Sequence, residues 1–212
     1  MNKLVKDALI LTLITLIAGV ALGAVYQITK DPIAKAQEAK TKEAYMAVFP
    51  DAASFSDLGG FNSEEATKVA ADAGYTKSIV SNAVEALDGS GNRLGYVITM
   101  VSKEGYGGSI TFSMGIANDG TMYGYSITDI SETAGLGMKA TDQPKDENDT
   151  KAFVTHFYNK NASSPLTVVK GSASSDTEIE AISGATITSR AMTNAVNAGF
   201  AYFNSLTGGA AE

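Results

Sequence analysis

The strongest constraint on this chain lies in its first thirty residues. Residues 8–28 read ALILTLITLIAGVALGAVYQI, 21 positions without a charge. The hydrocarbon core of a bilayer needs a helix of ~20 apolar residues. Lys3, Lys6 and Lys30 bracket the run, and Tyr26 suits an interfacial position. A cleaved signal peptide is the rival reading, but its core is usually only ~7–15 residues. This run stays apolar past Ala24, so an uncleaved anchor is the better fit. A buried core helix matches the apolarity but not the terminal position. Flanking charge is nearly balanced: Lys3 and Lys6 lie on one side, and Lys30, Lys35 and Lys40 on the other. The short N-terminal tail favours a cytoplasmic N-terminus, with everything beyond about residue 30 outside.

That divides the chain into three expected parts. Residues 1–30 form a single-pass inner-membrane anchor with a short cytoplasmic tail. Residues 31–50 form a stalk that starts at Asp31-Pro32 and becomes helical over 35–48, where Ala, Lys and Glu dominate. Residues 51–212 form one extracytoplasmic domain.

Charge and composition narrow what that domain does. The formal net charge is −7. Positions 1–30 hold three of the 16 basic residues and one of the 23 acidic ones, so the remainder carries −9. Nucleic acid needs a clustered basic face, and this body is acidic with scattered lysines. There is no cysteine, which excludes disulfides, thiolate zinc and iron–sulfur ligation. One histidine, His156, cannot build a His-rich metal site and reads as a residue on a helix face. Redox chemistry in such a chain requires an organic cofactor.

Hydrophobic periodicity predicts an α+β fold. Residues 50–61 read as a loop. Ser63-Glu64-Glu65 opens a helix through Ala73, stopped by Gly74. Strand patterns cover 78–87, 94–102, 109–117 and 122–127, and Asn118-Asp119-Gly120 is a hairpin signal between the last two. An antiparallel meander with helices on one face follows. Residues 142–149 read as a polar, solvated excursion, 150–158 as a short helix and 166–170 as a further strand. From Thr188, the apolar residues Met192, Ala195, Val196, Gly199 and Phe203 recur at helical spacing.

Ahead of that last helix stands Ser183-Gly184-Ala185-Thr186-Ile187-Thr188-Ser189, four hydroxyls in seven residues. The plain reading is a helix cap, with Ser183 or Thr186 as the capping residue. The alternative uses the same position chemically. A helix start leaves unpaired N–H groups and partial positive charge, which together favour an anion. Gly184 allows close backbone approach, Ala185 adds little bulk, and a phosphate on or beside Thr186 could use Thr188 and Ser189 as extra donors. The segment lacks Walker spacing and its lysine, and there is no G-x-S-x-G elsewhere for a serine hydrolase. A second unusual stretch is Glu132-Thr133-Ala134-Gly135-Leu136-Gly137. Its glycines could let the backbone approach a flat ring with Leu136 packed on it, or it is an ordinary loop. Gly105-Tyr106-Gly107-Gly108 is a third flexible site, or a hairpin turn.

Together these pieces resemble the FMN-binding G subunit of the Rnf complex and, more distantly, the C subunit of the sodium-pumping NADH:quinone oxidoreductase. The resemblance runs through the anchor, residues 44–50, 105–110, the meander, 132–137 and 183–189. It implies one FMN per chain, linked through a phosphoester to Thr186 of Ser183-Gly184-Ala185-Thr186. Glu180 takes the place of an acidic residue six positions earlier. In the other loop Ala134 stands where proline is usual, which removes a fixed φ. The implied fold is a transmembrane helix followed by one FMN-binding domain, an antiparallel sheet packed by helices. The implied role is electron relay between ferredoxin and NAD⁺ coupled to Na⁺ or H⁺ movement. Other membrane subunits would be partners, and a flavin transferase would load the cofactor. Two alternatives remain: a covalent flavin carrier of another membrane chain, or an anchored binding module without flavin.

Overall fold

The computed structural model describes residues 2–146 and 149–208. Glu147 and Asn148, in the polar excursion expected at 142–149, lie outside the described residues. The chain divides into two compact units, Met1–Thr41 and Lys42–Glu212. From Lys3 onward the first unit is helical. Helix α1 spans Lys3–Val48, and its apolar stretch is long enough to cross a membrane, with none of that stretch buried in protein. Pro32 lies inside this helix, where the sequence suggested a new start for the stalk. A proline removes one intrahelical donor, but Ala, Lys, Gln and Glu on its C-terminal side are strong helix formers and carry the helix through.

In the second unit six strands form one antiparallel meander, β1 (Ser54–Asp57), β2 (Ser78–Leu87), β3 (Arg93–Ser102), β4 (Ile110–Ala117), β5 (Thr121–Asp129) and β6 (Lys160–Asn161), in spatial order 1-2-3-4-5-6. The four long strands fall where the strand patterns placed them, within a residue or two at their ends. β1, inside the stretch read as a loop, pairs with the end of β2 from Ser54 opposite Leu87 to Asp57 opposite Val84. Its own residues are mostly exposed, so no apolar alternation marks it. Helix α2 (Ser63–Asp72) joins β1 to β2. Its N-cap is Asn62, whose Oδ1 accepts from the Glu64 and Glu65 N–H groups at 2.9 and 3.4 Å. After β5 the chain makes two short 3-10 turns, Gly137–Thr141 and Phe153–Phe157, the second replacing the helix expected at 150–158. His156 is half-buried there against the Phe153 ring. β7 (Thr167–Val169) pairs in parallel with β8 (Glu178–Glu180), and α3 (Thr186–Leu206) closes the domain.

Both faces of the meander are covered. On one face Ile98, Met100, Phe112, Met114 and Ile116 meet α3 through Met192, Ala195, Val196 and Phe203. Gly199 has a steric reason: a Cβ there would stand 2.5 Å from the Met114 sulfur, so glycine lets α3 lie close on β4. The opposite face receives the end of α1. Tyr45, Val48 and Phe49 pack with Val84, Ala86 and Val97. Phe49 sits over two strand glycines, because a Cβ on Gly95 or Gly115 would come within 2.7 or 3.0 Å of its ring. Asn197 of α3 tethers the chain ahead of β7, accepting from the Leu166 N–H and donating to the Leu166 carbonyl, both at 2.8 Å.

Candidate functional site

α3 starts one residue after Ala185. The first intrahelical bond runs from the Ser189 N–H to the Ala185 carbonyl at 3.0 Å. Ala185 is the N-cap and has no side-chain oxygen, so no side chain caps the helix. The plain reading of the hydroxyl cluster, a cap by Ser183 or Thr186, therefore does not hold. Gly184 has φ of +78°, a left-handed conformation that favours glycine. At this turn Thr186 is half-buried and lines a cleft. Ser189 is held inward. Its Oγ accepts from the Ile182 N–H at 2.9 Å and donates to the Ala185 carbonyl at 3.0 Å, with the side chain fully buried. Its hydroxyl thus locks the turn and is not a donor toward an outside anion.

The start of α3 forms one wall of a cleft of ≈ 550 Å³. Gly184, Ala185, Thr186, Ile187 and Thr188 line this wall. Glu132, Thr133, Leu136 and Gly137 line the opposite one, and Tyr106 closes the side. Three large hydrophobic side chains at this cleft are left open to solvent: Tyr106 is 72% exposed, Ile187 52% and Leu136 41%. Apolar side chains on several sides of one cleft suit a flat aromatic ligand, with the uncapped helix start for its anionic end.

The glycines of the two loops serve another group first. Glu132 is only 9% exposed, and its Oε1 accepts from the Gly107 N–H at 3.3 Å. A Cβ on Gly105 would lie 2.8 Å from Oε1, and one on Gly137 would lie 2.7 Å from Oε2 and 2.6 Å from the Thr188 hydroxyl. Gly137 therefore makes room for a buried carboxylate and for α3, where the sequence suggested room for a ring. Gly135 has φ of +75° and open space around it, and it does not line the cleft. Tyr125 fixes the turn after this loop: its hydroxyl donates to the Ala140 carbonyl at 2.9 Å. Burial pushes that phenol well above its ordinary range, so it stays a donor.

Ser183 faces two grooves beside the cleft. One, of ≈ 380 Å³, is shared by Lys170, Glu180 and Thr186; the other, of ≈ 400 Å³, by Lys139, Lys151, His156 and Glu180. The structure thus gathers Gly184, Ala185, Thr186, Thr188, Glu132, Thr133, Leu136 and Gly137 around one cleft. It leaves Ser189 and Gly135 out of the lining and sets Ser183 next door. Sequence reasoning missed Tyr106 as a wall, Ile187 as a rim residue, and Lys170 beside Thr186. The signal for Tyr106 was an aromatic held between glycines. Lys170 had none, because only the β7–β8 pairing brings it near.

Residues 105–201 match the FMN-binding domain, a span that contains every element of the cleft, and residues 1–48 match the RnfG N-terminal region. The chain is 31% identical over 203 residues to the G subunit of the Na(+)-translocating ferredoxin:NAD(+) oxidoreductase complex of Acetobacterium woodii, covering 95% of this chain and 92% of that one. The chain belongs to the RnfG family. This RnfG chain is also 32% identical over 200 residues to the G subunit of the proton-translocating ferredoxin:NAD(+) oxidoreductase complex of Clostridium ljungdahlii, covering 94% of this chain and 91% of that one. The crystal structure of Shewanella oneidensis NqrC aligns over 61% of this chain and 62% of its own, with 21% identity and a TM-score of 0.48.

Proposed function

We propose that this RnfG chain is a membrane-anchored electron carrier whose FMN is esterified to Thr186, one per chain. The observation that carries the reading is the uncapped start of α3, which presents Thr186 at the edge of a cleft with apolar walls inside a matched FMN-binding domain. The residues present fit the group. The first-turn N–H groups of α3 and the helix dipole would hold the phosphate, with Lys170 in the adjoining groove as a nearby cation. Tyr106, Leu136 and Ile187 would hold the isoalloxazine. FMN supplies one- or two-electron transfer; the protein supplies attachment, orientation and electrostatics.

The ester joins the Thr186 oxygen to the FMN phosphate, so the chain gains the mass of FMN less water. The carrier works in a complex that passes electrons between ferredoxin and NAD⁺ and moves Na⁺ or H⁺, with the other membrane subunits as partners and a flavin transferase loading it. Near-full-length similarity to the G subunits of two such complexes supports this over a quinone-reducing chain. The unit from Lys42 onward is placed outside the cytoplasm, a side that protease accessibility tests.

Mass spectrometry of the chain produced with a flavin transferase tests the attachment. The Thr186 peptide is expected to carry FMN less water, with an in-gel fluorescent band. Thr186→Ala is expected to fold and to show neither, and Thr186→Ser to keep the hydroxyl and regain some label. Covalent FMN on folded Thr186→Ala would refute the assignment.

A further inference from the structure

Among the described residues, Glu132 is the one carboxylate that is buried. The only ion pair among them joins Arg93 to Glu85, so no cation among them neutralises Glu132. Its one hydrogen bond to the described residues is the 3.3 Å contact from the Gly107 N–H. A carboxylate with so little access to water and no cation beside it is costly, and a fold that needed only a filled space there would place an apolar side chain. The surroundings are instead cut back to admit it. Gly105 and Gly137 each lie where a Cβ would press on one of its oxygens. This group lines the cleft, and the lining contains no lysine, arginine or histidine among the described residues. The lysines on this side of the domain line other grooves: Lys170 shares one with Thr186, and Lys139 and Lys151 line a second that Thr186 does not reach. Each of those grooves also holds carboxylates, Glu180 in both and Asp142 in the second, whereas in the cleft Glu132 stands as the one charged lining residue, with no cation in the lining to offset it.

The geometry points to Glu132 as the residue that sets the flavin's redox potential, holding it low. This rests on the reading that FMN is attached at Thr186 with its ring in the cleft. Reduction adds electrons to the ring, and any charge not matched by a proton stays there. A fixed negative group a short distance away, with little water between, opposes that charge far more than a solvent-exposed one would. It leaves the oxidised, neutral ring almost unaffected. The reduced form is therefore selectively destabilised, and the carrier becomes a stronger donor. Glu132 is a positioning residue as well, because its contact with Gly107 ties the 105–108 loop to the 132–137 loop.

Spectroelectrochemical titration of the flavinylated full chain in detergent tests this. Glu132→Gln keeps the side-chain shape and the oxygen that accepts from Gly107, and removes the charge. It is expected to shift the equilibrium at least tenfold toward reduced flavin, a rise of about 59 mV for a one-electron step. Glu132→Asp, which keeps the charge, is expected to stay nearer the wild type. A purely structural role would move both variants alike or neither.

Should Glu132→Gln fail to fold, the exposed cleft residue offers a second route. Thr133→Lys is expected to raise the potential at low salt, and added salt is expected to erase much of that rise. Folded, flavinylated Glu132→Gln with the wild-type potential overturns the proposal. So does an unchanged potential in Thr133→Lys at low salt. A wild-type chain without flavin on Thr186 would instead sink the attachment reading, and the role of Glu132 with it.

Discussion

Gly137→Ala is the most informative single perturbation of the cleft. Gly137 is not in the left-handed region, so alanine meets no backbone penalty there. The cost is steric. The new methyl would stand 2.6 Å from the Thr188 hydroxyl, 2.7 Å from the Glu132 Oε2 and 2.8 Å from the Glu132 Cβ. Contacts that short require at least one neighbour to move. Both neighbours are held: Thr188 is 1% exposed on the first turn of α3, and Glu132 is bonded to the opposite loop. Overpacking of this kind costs about 1–3 kcal/mol. In a folded unit of this size each kcal/mol lowers Tm by about 2–4 °C, so a fall of roughly 2–12 °C is expected. Thermal unfolding of chains without flavin measures it free of any cofactor contribution. Thr188→Ala removes the nearest of the three atoms, so the double variant is expected to lose less stability than the two singles together. A coupling of about 0.5 kcal/mol or more in that cycle supports the contact. Wild-type stability of Gly137→Ala, or strict additivity, would refute the close packing of loop, carboxylate and helix.

Phe49→Ala empties the space over Gly95 and Gly115 and removes the edge-on contact with Tyr123 at 5.0 Å, so a loss of about 3–5 kcal/mol is expected in denaturant unfolding. A loss below about 1 kcal/mol would mean that the end of α1 is not seated on the sheet. For orientation, protease added to intact cells with an accessible surface is expected to cleave within residues 42–208. Protection there, with cleavage in inverted vesicles, would reverse the topology.

The anchor and the meander were legible in the sequence because each depends on local pattern. An uncharged run of 21 residues needs no tertiary partner to be recognised. Short apolar runs rich in β-branched and aromatic residues, bounded by turn signals such as Asn118-Asp119-Gly120, mark β2 to β5 as strands. The hydroxyl-rich turn was also legible as a helix start.

What the sequence left open were matters of which atom faces which. Ser183, Thr186, Thr188 and Ser189 are chemically alike on paper. The left-handed Gly184 and the helical twist turn Ser189 into the core and Thr186 toward the cleft. Gly137 could have cleared a path for a ring. Only the folded chain shows Glu132 and Thr188 occupying that space. Gly95 and Gly115 lie inside β3 and β4, and only the folded chain shows Phe49, just past the end of α1 and far earlier in the chain, resting on them. Local periodicity is written along the chain, so the sequence by itself determined the apolar helix, α2, the four long strands and α3. Steric exclusion and charge burial act between residues far apart in the chain, so only the tertiary structure decided that one unpaired carboxylate lines the wall of the cleft.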